Sequence, residues 1–221
     1  MKKSKKSKKI LIFLIVLVLV AIIGILVYSF CFKEDEQEIK VIKTISKYGY
    51  TLDENETQIY KDEFNNLDKI LSEKEVDYEA YAKSISKLFI MDFYTLDNKL
   101  SKNDIGGTQF IEENMRDNFI EEARSTFYKY VEVKSDDRTQ NLPIVSSIDE
   151  VSIEDTTFTI YDKTTTTTTS KYKKTTTASG TTVDAYKVTI SWSYKEDLDY
   201  ETEANMILIK DENKLYIVEM D

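Results

Sequence analysis

The sequence predicts an α+β fold: one N-terminal transmembrane helix, then about three helices packed on a curved antiparallel sheet of four or more strands. Three observations support this prediction. Residues 10–32 are apolar and uncharged, apolar residues recur three and four apart up to about residue 130, and apolar and polar residues alternate after that point. Side chains return to the same face every 3.6 residues in a helix and every two residues in a strand. The change of period near residue 130 therefore separates a helical part from a sheet. Helices followed by strands are typical of the α+β class.

The apolar run at residues 10–32 has the length of a membrane span. A helix rises about 1.5 Å per residue, and about 20 apolar residues cross a bilayer. Six lysines and no acidic residue precede the run. This charge bias predicts a cytoplasmic tail at residues 1–9 and an extracellular domain after Phe32. The predicted location is therefore the cell membrane, with the lipid bilayer as a partner of residues 10–32.

Cys31 leaves a lipoprotein signal open as an alternative to the uncleaved anchor. It is the only cysteine and stands near the end of the apolar run. A lipidation site needs a small residue before the cysteine, whereas Phe30 stands there. A cleaved signal peptide has an apolar core of only about 7 to 15 residues. Both comparisons favour the uncleaved anchor.

The composition of residues 33–221 excludes several classes of function. All 40 acidic residues and 24 of the basic ones lie there, a net charge of −16. Nucleic-acid binding needs a basic surface and is not expected. The chain has no histidine and one cysteine. Histidine-dependent catalysis, the usual zinc sites and disulfide bonds are therefore excluded. We predict no catalytic residue set, no metal site and no cofactor.

The predicted domain begins with three helices, which follow a short lead-in segment. Residues 33–52 form a linker and lead-in of mixed period, and residues 53–221 form the outer domain. The helices are predicted at residues 56–72, 78–96 and 108–130. Asp53 or Asn55 caps the first helix and Asp77 the second, because their side chains accept hydrogen bonds from free backbone amides. The loop at 97–107 ends in Gly106 and Gly107, which tolerate positive φ.

Alternation of apolar and polar residues predicts the strands. They are placed at residues 144–153, 156–161, 186–195, 204–209 and 215–220. The alternation slips near Asp149, which predicts a β-bulge. The threonine-rich segment 163–182 is predicted to be a variable surface loop. The alternatives for this segment are a glycosylated or wall-threading loop and a docking edge.

Two segments and the order of elements resemble a known superfamily. The segments are LFIMDFYTL at 88–96 and YKVTISWSY at 186–194. The chain resembles the nuclear-transport-factor-2-like (cystatin-like cone) superfamily, and within it uncharacterised membrane-anchored members from Gram-positive bacteria. The resemblance implies a cone whose mouth holds a small ligand or whose sheet dimerises. Some members are isomerases or dehydratases, and many are binding or assembly modules.

Asp92 is the first candidate site residue. It continues the apolar face of the second predicted helix, and an unpaired buried carboxylate costs several kcal/mol. In a catalytic interpretation Asp92 is a general acid or base, and Tyr94, Tyr130 and Trp192 line the pocket. In a structural interpretation it accepts hydrogen bonds from the 103–108 loop or from a tyrosine hydroxyl. The structural interpretation is favoured, because buried carboxylates are usually satisfied in this way.

The predicted function is that of a non-catalytic binding or assembly module anchored in the membrane. The expected partners are other membrane or envelope proteins and further copies of the chain that pair through the sheet. The alternative is a small-molecule-binding protein or an enzyme of the isomerase or dehydratase type with Asp92 as acid or base. An open cavity of several hundred Å³ with Asp92 at its base would favour the enzyme.

Overall fold

Residues 39–161 and 180–221 contain three α-helices. They are α1 (Gln58–Ser72), α2 (Tyr78–Phe93) and α3 (Glu113–Ser125). The computed structural model describes residues 39–161 and 180–221, together with Val18 and the backbone of two short strands between residues 166 and 177.

Asp77 caps α2 as predicted, and its carboxylate accepts from the amides of Glu79 and Ala80. The helix is buried on most sides, so it is the central helix of the domain.

The predicted bounds of all three helices need correction. Helix α2 ends at Phe93 rather than at residue 96. Helix α1 begins two residues later than expected, because Thr57 caps it instead of Asp53 or Asn55. The predicted helix at 108–130 is a 3-10 turn at Thr108–Phe110 followed by α3. Between them Ile111 is extended and forms a β-bridge with Ile217. This tertiary pairing takes Ile111 out of the helix, and the helical period of the sequence does not reveal it.

The lead-in residues form a hairpin that belongs to the domain. Strands β1 (Val41–Ile45) and β2 (Tyr50–Asp53) pair antiparallel, and Gly49 takes a φ of +69° in the turn. Tyr50 is fully buried, and its hydroxyl lies 2.7 Å from that of Tyr81. The same hydroxyl donates to the carbonyl of Leu215 over 3.3 Å. The compact unit accordingly begins at Ile39.

The remaining strands form a four-stranded antiparallel sheet and a small hairpin. The strands are β3 (Val145–Tyr161), β4 (Thr166–Ser170), β5 (Lys173–Thr177), β6 (Gly180–Tyr194), β7 (Glu203–Asp211) and β8 (Lys214–Met220). The sheet order is β3-β6-β7-β8, and β4 pairs with β5. The segment predicted as a threonine-rich loop therefore contains two paired strands. The two strands predicted at 144–153 and 156–161 are one strand, β3.

The β-bulge predicted near Asp149 is confirmed. The register between β3 and β6 shifts between Ile148 and Glu150. The Asp149 carboxylate accepts from the hydroxyls of Ser147, over 2.7 Å, and Ser193, over 2.6 Å. These two bonds lower the pKa of the Asp149 carboxyl. A bulge lets an edge strand such as β3 bend and twist.

The main core lies between α2 and one face of the sheet. The β6 residues Val188, Ile190 and Trp192 are buried there with α2. A smaller apolar cluster of Ala185, Ile209 and Val218 is buried apart from the main core.

The prediction of an N-terminal transmembrane helix is corrected. Within the part of the chain that the structure describes, no helix has the length and apolarity needed to cross a bilayer. The predicted span at residues 10–32 lies outside the described residues except for Val18, and so do residues 1–9 and Cys31. The single-pass topology, the cell-membrane location and the extracellular placement of the domain are therefore withdrawn.

Candidate functional site

Asp92 lines a small polar pocket at the end of α2. The pocket has a volume of about 200 Å³ and is lined by β2, the segment between β2 and α1, and the loop and 3-10 turn after α2. Four of its side chains are carboxylates and one is a lysine. They are Asp53, Glu56, Asp92, Asp104 and Lys99. We call this the acidic pocket.

Both carboxylate oxygens of Asp92 are bound. Oδ1 forms an ion pair with the ammonium group of Lys99, which is 3% exposed. Oδ2 accepts from the amide of Gly107 over 2.7 Å. The structural interpretation predicted a hydrogen bond from the 103–108 loop to Asp92, and the bond from Gly107 confirms it. The ion pair with Lys99 was not predicted from the sequence. Gly106 packs against the Asp92 carbonyl so closely that a Cβ would clash with it.

Glu56 is the second buried carboxylate at Lys99. Its Oε1 lies 3.9 Å from Lys99 Nζ, and its Oε2 accepts from Asn98 Nδ2 over 3.3 Å. Burial, and then the charge of Asp92, raise the pKa of Glu56 to about 8. Burial by itself lowers the pKa of Lys99. The negative charges of Asp92 and Glu56 have a larger effect in the opposite direction, so the pKa of the lysine lies above its ordinary value. Burial and Asp92 also raise the pKa of Asp53.

We expect Glu56→Gln to remove a pH dependence of stability. The unfolded chain releases the Glu56 proton near pH 4.3, the ordinary pKa of glutamate, whereas the folded chain keeps it until about pH 8. Between these values the folded state binds more protons, so stability falls as pH rises, by up to about 1.4 kcal/mol per pH unit. The advantage of the variant over the wild type should therefore grow from about pH 5 to about pH 8 in urea unfolding. The control is Glu54→Gln, which makes the same change at an exposed glutamate nearby. If the difference in free energy of unfolding between Glu56→Gln and the wild type stays constant with pH, the raised pKa of Glu56 is contradicted.

The other three predicted site residues do not lie in the pocket that contains Asp92. Tyr94 and Trp192 pack together in the core, with ring centroids 4.7 Å apart. Burial raises the pKa of Tyr94 to about 12, so its hydroxyl stays neutral. Tyr130 is 75% exposed. None of these three lines the acidic pocket.

A second, apolar pocket lies between α3 and β8. It has a volume of about 390 Å³ and an open mouth. Its residues come from α2, α3, the segment before α3 and β8. They are Phe89, Phe93, Ile111, Met115, Asn118, Phe119, Glu122, Ala123, Thr126, Ile217, Val218, Glu219 and Met220. Sequence reasoning missed this pocket, although the apolar face of α3 was visible in the sequence. We call it the α3–β8 pocket.

No protein-family model, curated protein or solved structure matches this chain. The assignment of a site therefore depends on the size and lining of the pockets. A further pocket of about 550 Å³, whose lining includes Glu63, Lys83, Lys87 and Asp149, is more polar than the α3–β8 pocket. Among the described residues, no group of three or more acidic, histidine or cysteine side chains is placed to hold a metal ion. The acidic pocket is consistent with this finding, because Lys99 occupies the space between Asp92 and Glu56 that a cation would take.

Proposed function

We propose that this chain is a non-catalytic binding module whose ligand occupies the α3–β8 pocket. The observation that carries the proposal is the size and lining of this pocket. Small-molecule sites have volumes of about 300 to 1,000 Å³ and mostly apolar walls with a few polar groups. The α3–β8 pocket, at about 390 Å³, meets both conditions. The acidic pocket, at about 200 Å³, is below this range.

The geometry at Asp92 argues against the alternative enzyme. A general acid or base must reach a substrate proton, and both oxygens of Asp92 are engaged with Lys99 and Gly107. Asp92 also does not line the α3–β8 pocket. The aromatic residues expected around it do not surround it: Tyr94 and Trp192 pack together in the core with ring centroids 4.7 Å apart, and Tyr130 is 75% exposed. Among the described residues, the pocket that Asp92 lines has a volume of about 200 Å³, smaller than the several hundred Å³ expected for the enzyme.

Two predictions from the sequence stay predictions beside this proposal. One is the resemblance to the nuclear-transport-factor-2-like superfamily, in which binding modules are common. The other is the pairing of copies or partner proteins through the sheet. The proposal of a ligand in the α3–β8 pocket depends on neither of them, because it is argued from the walls of the pocket.

Filling the pocket should abolish binding of an apolar probe. The neutral dye N-phenyl-1-naphthylamine gains fluorescence in an apolar site. Ala123 is 4% exposed and lines the pocket from α3, so Ala123→Phe places a ring in the empty volume. We expect a loss of affinity of about tenfold or more, since a filled cavity leaves no contact surface for the dye. Fluorescence titration of the full chain measures it.

The matched control is Ser125→Phe, which adds the same ring two residues further along α3, outside the pocket lining. It should bind the dye like the wild type. Thermal unfolding is used to check that both variants are folded. If folded Ala123→Phe keeps the affinity of the wild type, the dye binds elsewhere and the proposed function is wrong.

A further inference from the structure

We propose that the α3–β8 pocket binds an extended peptide segment of another protein, which adds a strand to the free edge of β8 and places an apolar side chain in the pocket. This inference depends on the proposed function, because it names the ligand class of the same pocket. Three features carry it: the position of β8 in the sheet, the direction of the Met220 backbone groups, and the partly covered apolar side of α3.

Strand β8 presents its edge, and not one of its faces, to the pocket. It is the last strand in the sheet order β3-β6-β7-β8. Four consecutive residues of β8, Ile217–Met220, line the pocket. Neighbouring side chains of a strand point to opposite faces: Ile217 belongs to the main core, whereas Val218 belongs to the smaller cluster. A pocket lined by all four residues therefore lies beside the strand, along its backbone.

The backbone groups of Met220 point to this free edge. Asn205 and Asp221 exchange two backbone hydrogen bonds, of 2.8 and 3.0 Å, at the end of the β7–β8 pair. In an antiparallel pair, the next residue along each strand turns its N–H and C=O away from the partner strand. Met220, opposite Met206, is that residue, and within the described part of the chain neither group has a hydrogen-bond partner. Such an edge is a template for a further strand.

The segment before α3 already pairs with this edge, at one position. Ile111 forms a parallel β-bridge with Ile217, and the amide of Glu112 donates to the Ile217 carbonyl over 3.3 Å. At Glu113 the chain turns into α3, so this pairing ends. A peptide opposite Val218–Met220 would continue the strand that Ile111 begins.

The side of α3 that lines the pocket is only partly covered. Ala123 is buried, but Phe119 is half-buried and Met115 is 40% exposed. With Phe89 and Phe93 of α2, these side chains form an apolar wall beside the free edge. An extended peptide suits both features, since a strand offers main-chain hydrogen bonds along an edge and side chains at alternate positions for a pocket.

Short alternating peptides test the inference. The probes are capped pentapeptides with threonine at the odd positions and leucine, valine or phenylalanine at the even positions. They are titrated against the full chain loaded with N-phenyl-1-naphthylamine. We expect at least one of them to displace the dye below about 1 mM, an affinity within reach of a few main-chain bonds and one buried side chain.

N-methylation of the best peptide, one residue at a time, tests the strand geometry. Only every second N–H of a strand faces its neighbour. Methylation should therefore lower the affinity about tenfold at alternate positions and less than about twofold at the positions between them. A peptide held by its side chains alone would not show this alternation.

Met220→Pro tests the same contact from the protein side. Proline removes the outward N–H and places its ring at the edge, but the ladder with β7 does not use this N–H, so the fold should be kept. Met220→Val shortens the side chain and keeps the N–H, and is the control. We expect the ratio of peptide affinity to dye affinity to be about tenfold lower in the proline variant than in the valine variant. Thermal unfolding is used to check that both are folded.

The outcomes separate this inference from the proposed function. If no peptide displaces the bound dye, if N-methylation has no alternating effect, or if the proline and valine variants give the same ratio, the peptide inference is overturned and the binding pocket stands. A dimer of the full chain that Met220→Pro converts to a monomer would assign the edge to a second copy and also overturn it. If Ala123→Phe shows that the dye binds elsewhere and no peptide binds, both are overturned.

Discussion

Replacing Lys99 by methionine is expected to lower the free energy of unfolding by about 3 to 5 kcal/mol. Lys99 is 3% exposed and is the counterion of Asp92. Methionine keeps the length of the side chain but removes the charge, so a buried carboxylate is left without its partner. Losing one member of a buried ion pair costs more than the pair itself contributes. Urea unfolding at neutral pH measures the change.

Two further variants test whether the missing charge is the cause. Lys102→Met makes the same change at an exposed lysine of the same loop and should cost less than about 0.5 kcal/mol. Adding Asp92→Asn to Lys99→Met should restore a good part of the loss, because asparagine has no charge and its carbonyl still accepts from Gly107. A double variant no more stable than Lys99→Met would show that packing, not charge, explains the effect.

Gly107→Ala is expected to cost about 3 kcal/mol, the sum of backbone strain and a steric clash. Gly107 has a φ of +75°, and a Cβ there would lie 2.6 Å from Phe89 Cδ2. The Phe89 ring is fully buried and stacks on Phe93, so moving it away from the new methyl group disturbs this stacking. The residue also donates its amide to Asp92, which fixes the loop in place. Thermal or urea unfolding gives the loss of stability.

Gly49→Ala separates the two causes. Gly49 has a similar φ of +69°, but a Cβ there would have no heavy atom within 4 Å. Its substitution should cost only the strain, about 1 kcal/mol. If Gly49→Ala and Gly107→Ala cost the same, the contact with Phe89 contributes nothing and the argument from packing fails.

Features that depend on neighbouring residues were predictable from the sequence. Asp77 caps α2 because its carboxylate reaches amides two and three residues ahead. The alternating strand around Trp192 was visible because the side chains of a strand point to opposite faces in turn. The bulge at Asp149 appeared as a slip in that alternation.

Features that depend on distant residues were not predictable from the sequence. The strand pairing of Ile111 with Ile217 ends a helix that the local period would continue. In the sequence Lys99 stands in a predicted loop, where a lysine is usually exposed. Only the folded loop directs its side chain back to Asp92. The α3–β8 pocket requires both α3 and β8, and no segment of the sequence contains it. Asp92 was found because a carboxylate in an apolar stripe is a local signal.

The contacts of Tyr50 affect the order in which the domain folds. Its hydroxyl joins Tyr81 on α2 and Leu215 on β8, and Leu215 lies 165 residues further along the chain. Contacts with such a large sequence separation form slowly, because a long loop must close first. During synthesis the β1–β2 hairpin leaves the ribosome long before β8 exists. Until then the Tyr50 hydroxyl lacks its bond to Leu215, so this hairpin is expected to reach its native packing late.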